Sequence, residues 1–145
     1  MSGTSDIGGV AVETPIQIRW GDMDALGHVN NATYLAYLET AREPFFEAVA
    51  GRTQFTGFLF RRLEIDYRSP VVFEDGELRV AVALESIGTS SFTTRERMVA
   101  GSDGRLVAEA RAVSVHLDES GTRSAPILEE LRARLELFLA PPVAS

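Results

Sequence analysis

Positions 22 to 31 read Asp22-Met23-Asp24-Ala25-Leu26-Gly27-His28-Val29-Asn30-Asn31, which puts two carboxylates, an imidazole and two amides into ten residues. A carboxylate can attack an electrophilic carbon or draw a proton from water. An imidazole can pass a proton near neutrality, and backbone N–H groups entering a helix can hold developing negative charge. Each residue also has a plainer use. Asp22 and Asp24 can turn a loop by bonding their own backbone, His28 can orient its neighbours, Asn30 can cap a helix, and Gly27 can take a backbone angle that other residues resist.

The rest of the chain excludes much rival chemistry. It contains no cysteine, so thiolate nucleophiles, thiolate metal sites and disulfides are ruled out. His28 and His116 are the only histidines, and no Gly-x-Ser-x-Gly elbow accompanies them, so neither a Ser-His-Asp site nor a zinc site is supported. Phosphate-cradling Gly-x-Gly-x-x-Gly and Walker-type loops are missing too. Asn31-Ala32-Thr33 matches a glycosylation acceptor by chance in a chain without a secretory signal. Fourteen Lys plus Arg against twenty-one Asp plus Glu give a net charge of -7, and no basic cluster exceeds Arg61-Arg62, which argues against nucleic acid. No apolar run approaches the roughly 20 residues of a membrane span, and the N-terminus lacks a basic start, so the expectation is a cytoplasmic protein with no membrane partner.

The elements that must position the motif follow from periodicity. At 145 residues the chain fits one hydrophobic core. Residues 1 to 12, rich in Gly, Ser and Thr, read as a flexible N-terminal arm, and 13 to 145 as a single domain. Thr14 to Trp20 alternates as a short strand, with Ile16, Ile18 and Trp20 against Gln17 and Arg19. From Asn31 to about Ala50, Tyr34, Leu38, Ala41, Phe45 and Val49 recur at helical spacing, with a stripe of Glu39, Glu43 and Glu47. Pro44 inside this helix predicts a kink or a break into two shorter helices. Four strands are predicted next, over Phe58 to Tyr67, Glu77 to Ile87, Ser91 to Ala100 and Arg105 to Leu117. Glu74-Asp75-Gly76, Gly88 and Gly101-Ser102-Asp103-Gly104 punctuate them. An amphipathic helix through Leu128, Leu131, Leu135 and Phe138 ends the chain. This order gives an α+β class, an antiparallel sheet curled around one early helix, with edges that a second identical chain could cover.

Residues 18 to 42, Ile18-Arg19-Trp20-Gly21-Asp22-Met23-Asp24-Ala25-Leu26-Gly27-His28-Val29-Asn30-Asn31-Ala32-Thr33-Tyr34-Leu35-Ala36-Tyr37-Leu38-Glu39-Thr40-Ala41-Arg42, resemble the hotdog-fold thioesterases, in particular the 4-hydroxybenzoyl-CoA thioesterase-like branch. The shared pattern is a strand, then Asp-x-Asp-x-x-Gly-His-Val-Asn-Asn, then a Tyr and a helix carrying Glu and Ala-Arg. Weaker echoes continue in Tyr67-Arg68-Ser69-Pro70-Val71 and Gly88-Thr89-Ser90-Ser91-Phe92.

The resemblance implies a hotdog fold, a curved antiparallel sheet wrapped around a long central helix, in a homodimer or homotetramer with the active site between subunits. It implies hydrolysis of an acyl-CoA thioester to free acid and CoA, with coenzyme A as part of the substrate and no separate cofactor or metal. By motif position the catalytic carboxylate falls on Asp24, as nucleophile or general base, and the carbonyl-polarising backbone N–H on Asn31. The physics agrees, because a thioester already has a good leaving group and mainly needs a nucleophile and charge stabilisation. The first N–H groups of a helix sit at about +0.5 charge, and one well-placed donor contributes about 3 kcal/mol in other enzymes. Asp22 reads as structural. His28 is a further catalytic candidate, and Asn30, Tyr34, Arg68, Ser90 and Ser91 are candidate substrate contacts. Two other activities fit the same pattern: hydrolysis of an acyl carrier protein thioester, and noncatalytic acyl binding.

Overall fold

A computed structural model describes residues 10–51 and 57–139. Strand β1 (Val12–Gln17) leads to helix α1 (Asn31–Ala50), strands β2 (Phe58–Tyr67), β3 (Glu77–Ile87), β4 (Ser91–Ala100) and β5 (Leu106–His116), and helix α2 (Glu129–Glu136). Single 3-10 turns at Trp20–Asp22 and Phe73–Asp75 precede α1 and β3. All strand pairs are antiparallel and the sheet order is β1-β3-β4-β5-β2. The strand that follows α1 therefore lies at one edge and the strand that precedes it at the other.

Alternation decides which face turns inward. Leu78, Val80, Val82 and Leu84 of β3 and Phe92, Met98 and Ala100 of β4 are buried with Tyr34, Leu38, Ala41, Phe45 and Val49 of α1 in one core. The opposite sheet face carries ion pairs, Glu85 with Arg95 and Arg111, and Glu109 with Arg97 and Arg68. In the middle of α1, Arg42 turns inward to a buried ion pair with Glu96 of β4, and the Phe60 ring lies over its guanidinium, 4.9 Å from Cζ.

Several expectations are adjusted, and β5 is one residue shorter at each end than the predicted Arg105 to Leu117. Residues 1–9 of the expected arm lie outside the described residues, whereas Val12 already pairs with Val82 in β1. That strand ends at Gln17, and Trp20 opens a 3-10 turn because the chain must bend toward α1. Helix α1 is unbroken through Pro44. Buried Tyr37, Leu38 and Ala41 before the proline and Phe45 and Val49 after it lie in the same core, so packing outweighs the lost backbone bond. Helix α2 stops at Glu136, and Phe138 reaches the core from the turn beyond it, its ring 5.7 Å from Phe45.

Candidate active site at the start of α1

Residues 22 to 30 form a small closed loop. The Asp24 N–H donates to His28 O (2.8 Å), the Asn30 N–H donates to Asp22 O (3.0 Å), and Met23 and Val29 bridge between them. The turn at its tip is closed by Gly27 N–H to Asp24 O (3.0 Å), with Gly27 at φ 80°, where a Cβ would be strained. Its base is held by Val29, which is 2% exposed and donates to Val71 O, and by Ile18 N–H to Gly76 O. The loop is polar at its tip and anchored in the core at its base.

The two acids meet different surroundings. Asp22 Oδ2 accepts from the Arg19 N–H (3.0 Å) and the Tyr37 hydroxyl (2.5 Å). Asp24 is half-buried, and its Oδ1 accepts the N–H groups of Leu26 (2.9 Å) and His28 (3.2 Å). No donor among the described residues reaches the Asp24 Oδ2. Asp24 thus turns the loop with Oδ1 alone.

At the start of α1, Asn30 has extended backbone (φ −60°, ψ 138°), and its Oδ1 accepts the Ala32 N–H (2.8 Å) while its carbonyl accepts the Thr33 N–H (2.9 Å). The Asn31 N–H finds no acceptor among the described residues. No acidic side chain occupies the first turn, so the positive end of the helix is not neutralised. Tyr67, at the end of β2, donates to the Asn31 carbonyl (3.0 Å). One carboxylate oxygen of Asp24 and the first N–H of the helix seven residues later are thus both without a protein partner among the described residues.

The other candidates divide. His28 is half-buried in the loop. Tyr34 is buried with its hydroxyl 3.4 Å from Ser69 O, and burial, with Tyr67 beside it, pushes its pKa up. Arg68 is exposed next to Tyr67 and pairs with Glu109 (3.1 Å) and Asp66 (3.8 Å). Ser90 and Ser91 lie at the turn between β3 and β4, where Ser90 O accepts from His116 N–H. The start of β3 abuts the loop through Gly76, and a strand rises about 3.3 Å per residue, so within one chain these serines stand at the far end of the sheet. The sequence points to Tyr37 only as a residue of the pocket wall, and to Tyr67 not as a site residue. Periodicity put Tyr37 on the apolar face of α1, and the placement of Tyr67 just before Arg68-Ser69-Pro70 was the one available hint.

The model of the thioesterase-like superfamily matches residues 18–135. The long-chain acyl-CoA thioesterase FadM of Escherichia coli K12 is 30% identical over 129 residues, covering 86% of this chain and 97% of FadM. Among solved structures, a predicted thioesterase from Bacillus stearothermophilus superposes with TM-score 0.80 at 26% identity, covering 92% of this chain and all of that one. A thioesterase from Thermus thermophilus, solved with coenzyme A and zinc, gives TM-score 0.77 at 31% identity, covering 90% of this chain and 96% of that one. The fold and the matched motif define a hotdog-fold thioester hydrolase. The chain belongs to the thioesterase-like superfamily.

Proposed function

We propose that this protein hydrolyses acyl-CoA thioesters to free acid and CoA, with Asp24 and the Asn31 N–H as the working groups. The observation that carries the reading is local: one carboxylate oxygen of Asp24 in the closed loop and the N–H of Asn31, at the start of the helix that follows it, are left without partners among the described residues. The thioester carbonyl oxygen accepts from the Asn31 N–H, which is aligned with the positive end of α1 before charge develops. Asp24 then acts in one of two ways. Its Oδ2 attacks the carbonyl carbon, expelling the CoA thiolate and leaving an anhydride that water opens, or it takes a proton from a water that attacks directly. His28, within the same loop, serves as a proton carrier. Coenzyme A enters as part of the substrate, and no further cofactor is needed.

Two surfaces support the rest of the reading. An open groove of about 590 Å³ runs between β2 and the C-terminal half of α1, where Phe46, Phe58 and Phe60 give it an apolar wall and Glu39, Glu43 and Glu47 a charged rim; an acyl group that reached it would lie along α1, beyond the turn that carries Asn31. Edge strand β2 leaves Leu59, Phe60, Leu63 and Tyr67 between 37% and 59% exposed, which favours pairing with a second copy in a homo-oligomer. Light scattering of the purified chain tests the assembly.

The activity is tested by free-thiol release from short, long and aromatic acyl-CoA, with an acyl carrier protein thioester in parallel. Asp24→Asn keeps an oxygen for the Leu26 and His28 N–H groups and should lower kcat about 10²- to 10⁴-fold without unfolding the protein. Tight binding with no thiol release would leave a noncatalytic acyl-binding protein, and wild-type turnover in Asp24→Asn would remove Asp24 from its role.

A further inference from the structure

We infer that Tyr37 and Asp22 form a positioning pair that fixes the Asn31 N–H relative to the Asp24 carboxylate, a role that rests on the thioesterase reading of that site. Tyr37 is 4% exposed, six residues into α1, and its hydroxyl donates to Asp22 Oδ2 at 2.5 Å. Apart from the Asn30 cap on the first turn, this is the side-chain hydrogen bond among the described residues that joins the motif loop to α1.

Asp22 is the hub of the loop. Its N–H donates to Arg19 O (3.0 Å), its Oδ2 accepts the Arg19 N–H, and its carbonyl accepts the N–H of Asn30, the cap residue of α1. The peptide unit that presents the Asn31 N–H lies directly after that cap. Its carbonyl end is held by Thr33, and the next carbonyl is held by the Tyr67 hydroxyl. Asp24 lies two residues from Asp22 on the same arm of the loop, with Met23 between them bridging Val29. One acid therefore touches both arms of the loop through its backbone and the helix through its side chain. With the Tyr37 hydroxyl removed, the loop stays closed, because its backbone bonds do not involve Tyr37. What it loses is its registration against α1. Burial and the bond to Asp22 both push the Tyr37 hydroxyl above its usual pKa, which keeps it a donor across the working pH range.

The pair is tested by thiol-release kinetics on the full chain with Tyr37→Phe, Asp22→Ala, Asp22→Asn, the double variant Tyr37→Phe/Asp22→Ala, and Asp24→Asn alongside. A displacement of about an ångström at a reacting centre can cost as much as 10²-fold. Tyr37→Phe should lower kcat about tenfold, with KM within twofold and a melting temperature close to wild type. Asp22→Asn, which keeps an oxygen for Tyr37, should retain most of the kcat lost in Asp22→Ala. The double variant should be no slower than Asp22→Ala alone, because both changes remove one bond. The pair is overturned if Tyr37→Phe keeps wild-type kcat while Asp24→Asn is inactive, or if the losses in the double variant simply multiply. It is also overturned if kcat falls only as the folded fraction falls. A fully active Asp24→Asn would instead sink the site reading itself, and the pair with it.

Discussion

At its C-terminal end α1 hands the carbonyls of Ala48 and Val49 to the Arg134 guanidinium of α2, at 2.9 and 2.8 Å, and Gly51 N–H returns to Glu47 O. At its N-terminal end the Ala32 and Thr33 N–H groups are both taken up by Asn30, yet the Asn31 N–H beside them is left open. Both ends of a helix expose backbone groups that folding must satisfy. The C-terminal end is closed by a side chain brought from 85 residues away, whereas the N-terminal end is closed only as far as its cap allows. The open group at the N-terminal end is the one to which the proposed function gives a role.

The contrast can be strained at three points along the helix. The largest effect is expected at its centre, where Arg42 and Glu96 are both buried. Arg42→Met would strand Glu96 without its partner and should cost about 3–5 kcal/mol in chemical denaturation at neutral pH. Burial pushes the Glu96 carboxyl up and Arg42 pulls it back. A raised pKa means that the folded state binds the proton more tightly than the unfolded state. The contribution of Glu96 is therefore present at low pH and is lost as pH rises through its folded value. Removing Arg42 strengthens this dependence, so the deficit of Arg42→Met should shrink as pH falls toward the ordinary glutamate range near about 4.3. A deficit independent of pH would mean that Arg42 acts by packing alone.

A smaller effect is expected at the closed end. Arg134→Ala removes two charged hydrogen bonds to α1 and should cost about 1–2 kcal/mol, because the guanidinium is only partly buried. Its kcat per folded molecule should stay within twofold of wild type. A large loss of kcat there would erase the distinction between a structural end and a working end.

How much of this was legible in the sequence depends on whether a feature is local. The span of α1 and those of β2, β3 and β4 follow from apolar spacing, and the turns between strands follow from Glu74-Asp75-Gly76, Gly88 and Gly101-Ser102-Asp103-Gly104. The cap at Asn30 was legible for the same reason, since it spans two residues. Bonds between distant residues were not. Tyr37 meets Asp22 across 15 positions, Tyr67 meets Asn31 across 36, and Arg42 meets Glu96 across 54. A periodic pattern says that such a side chain turns inward but not which partner it finds. Of the kink or break expected at Pro44, the break does not occur, because the tertiary packing of Phe45 and Val49 overrides the local propensity.

The open N–H can be deleted without touching any other side chain of the site, by Asn31→Pro. Proline is favoured at the first position of a helix. The preceding Asn30 already has the extended backbone that a following proline requires, and the Asn31 N–H makes no bond among the described residues that would be lost. The carbonyl that Tyr67 holds is retained. The measurement is kcat for free-thiol release by Asn31→Pro against wild type, with thermal melts of both. Loss of one oxyanion donor predicts a fall of about 10²- to 10³-fold with the melting temperature unchanged or raised. A kcat within threefold of wild type in a fully folded variant would contradict the role given to the start of α1.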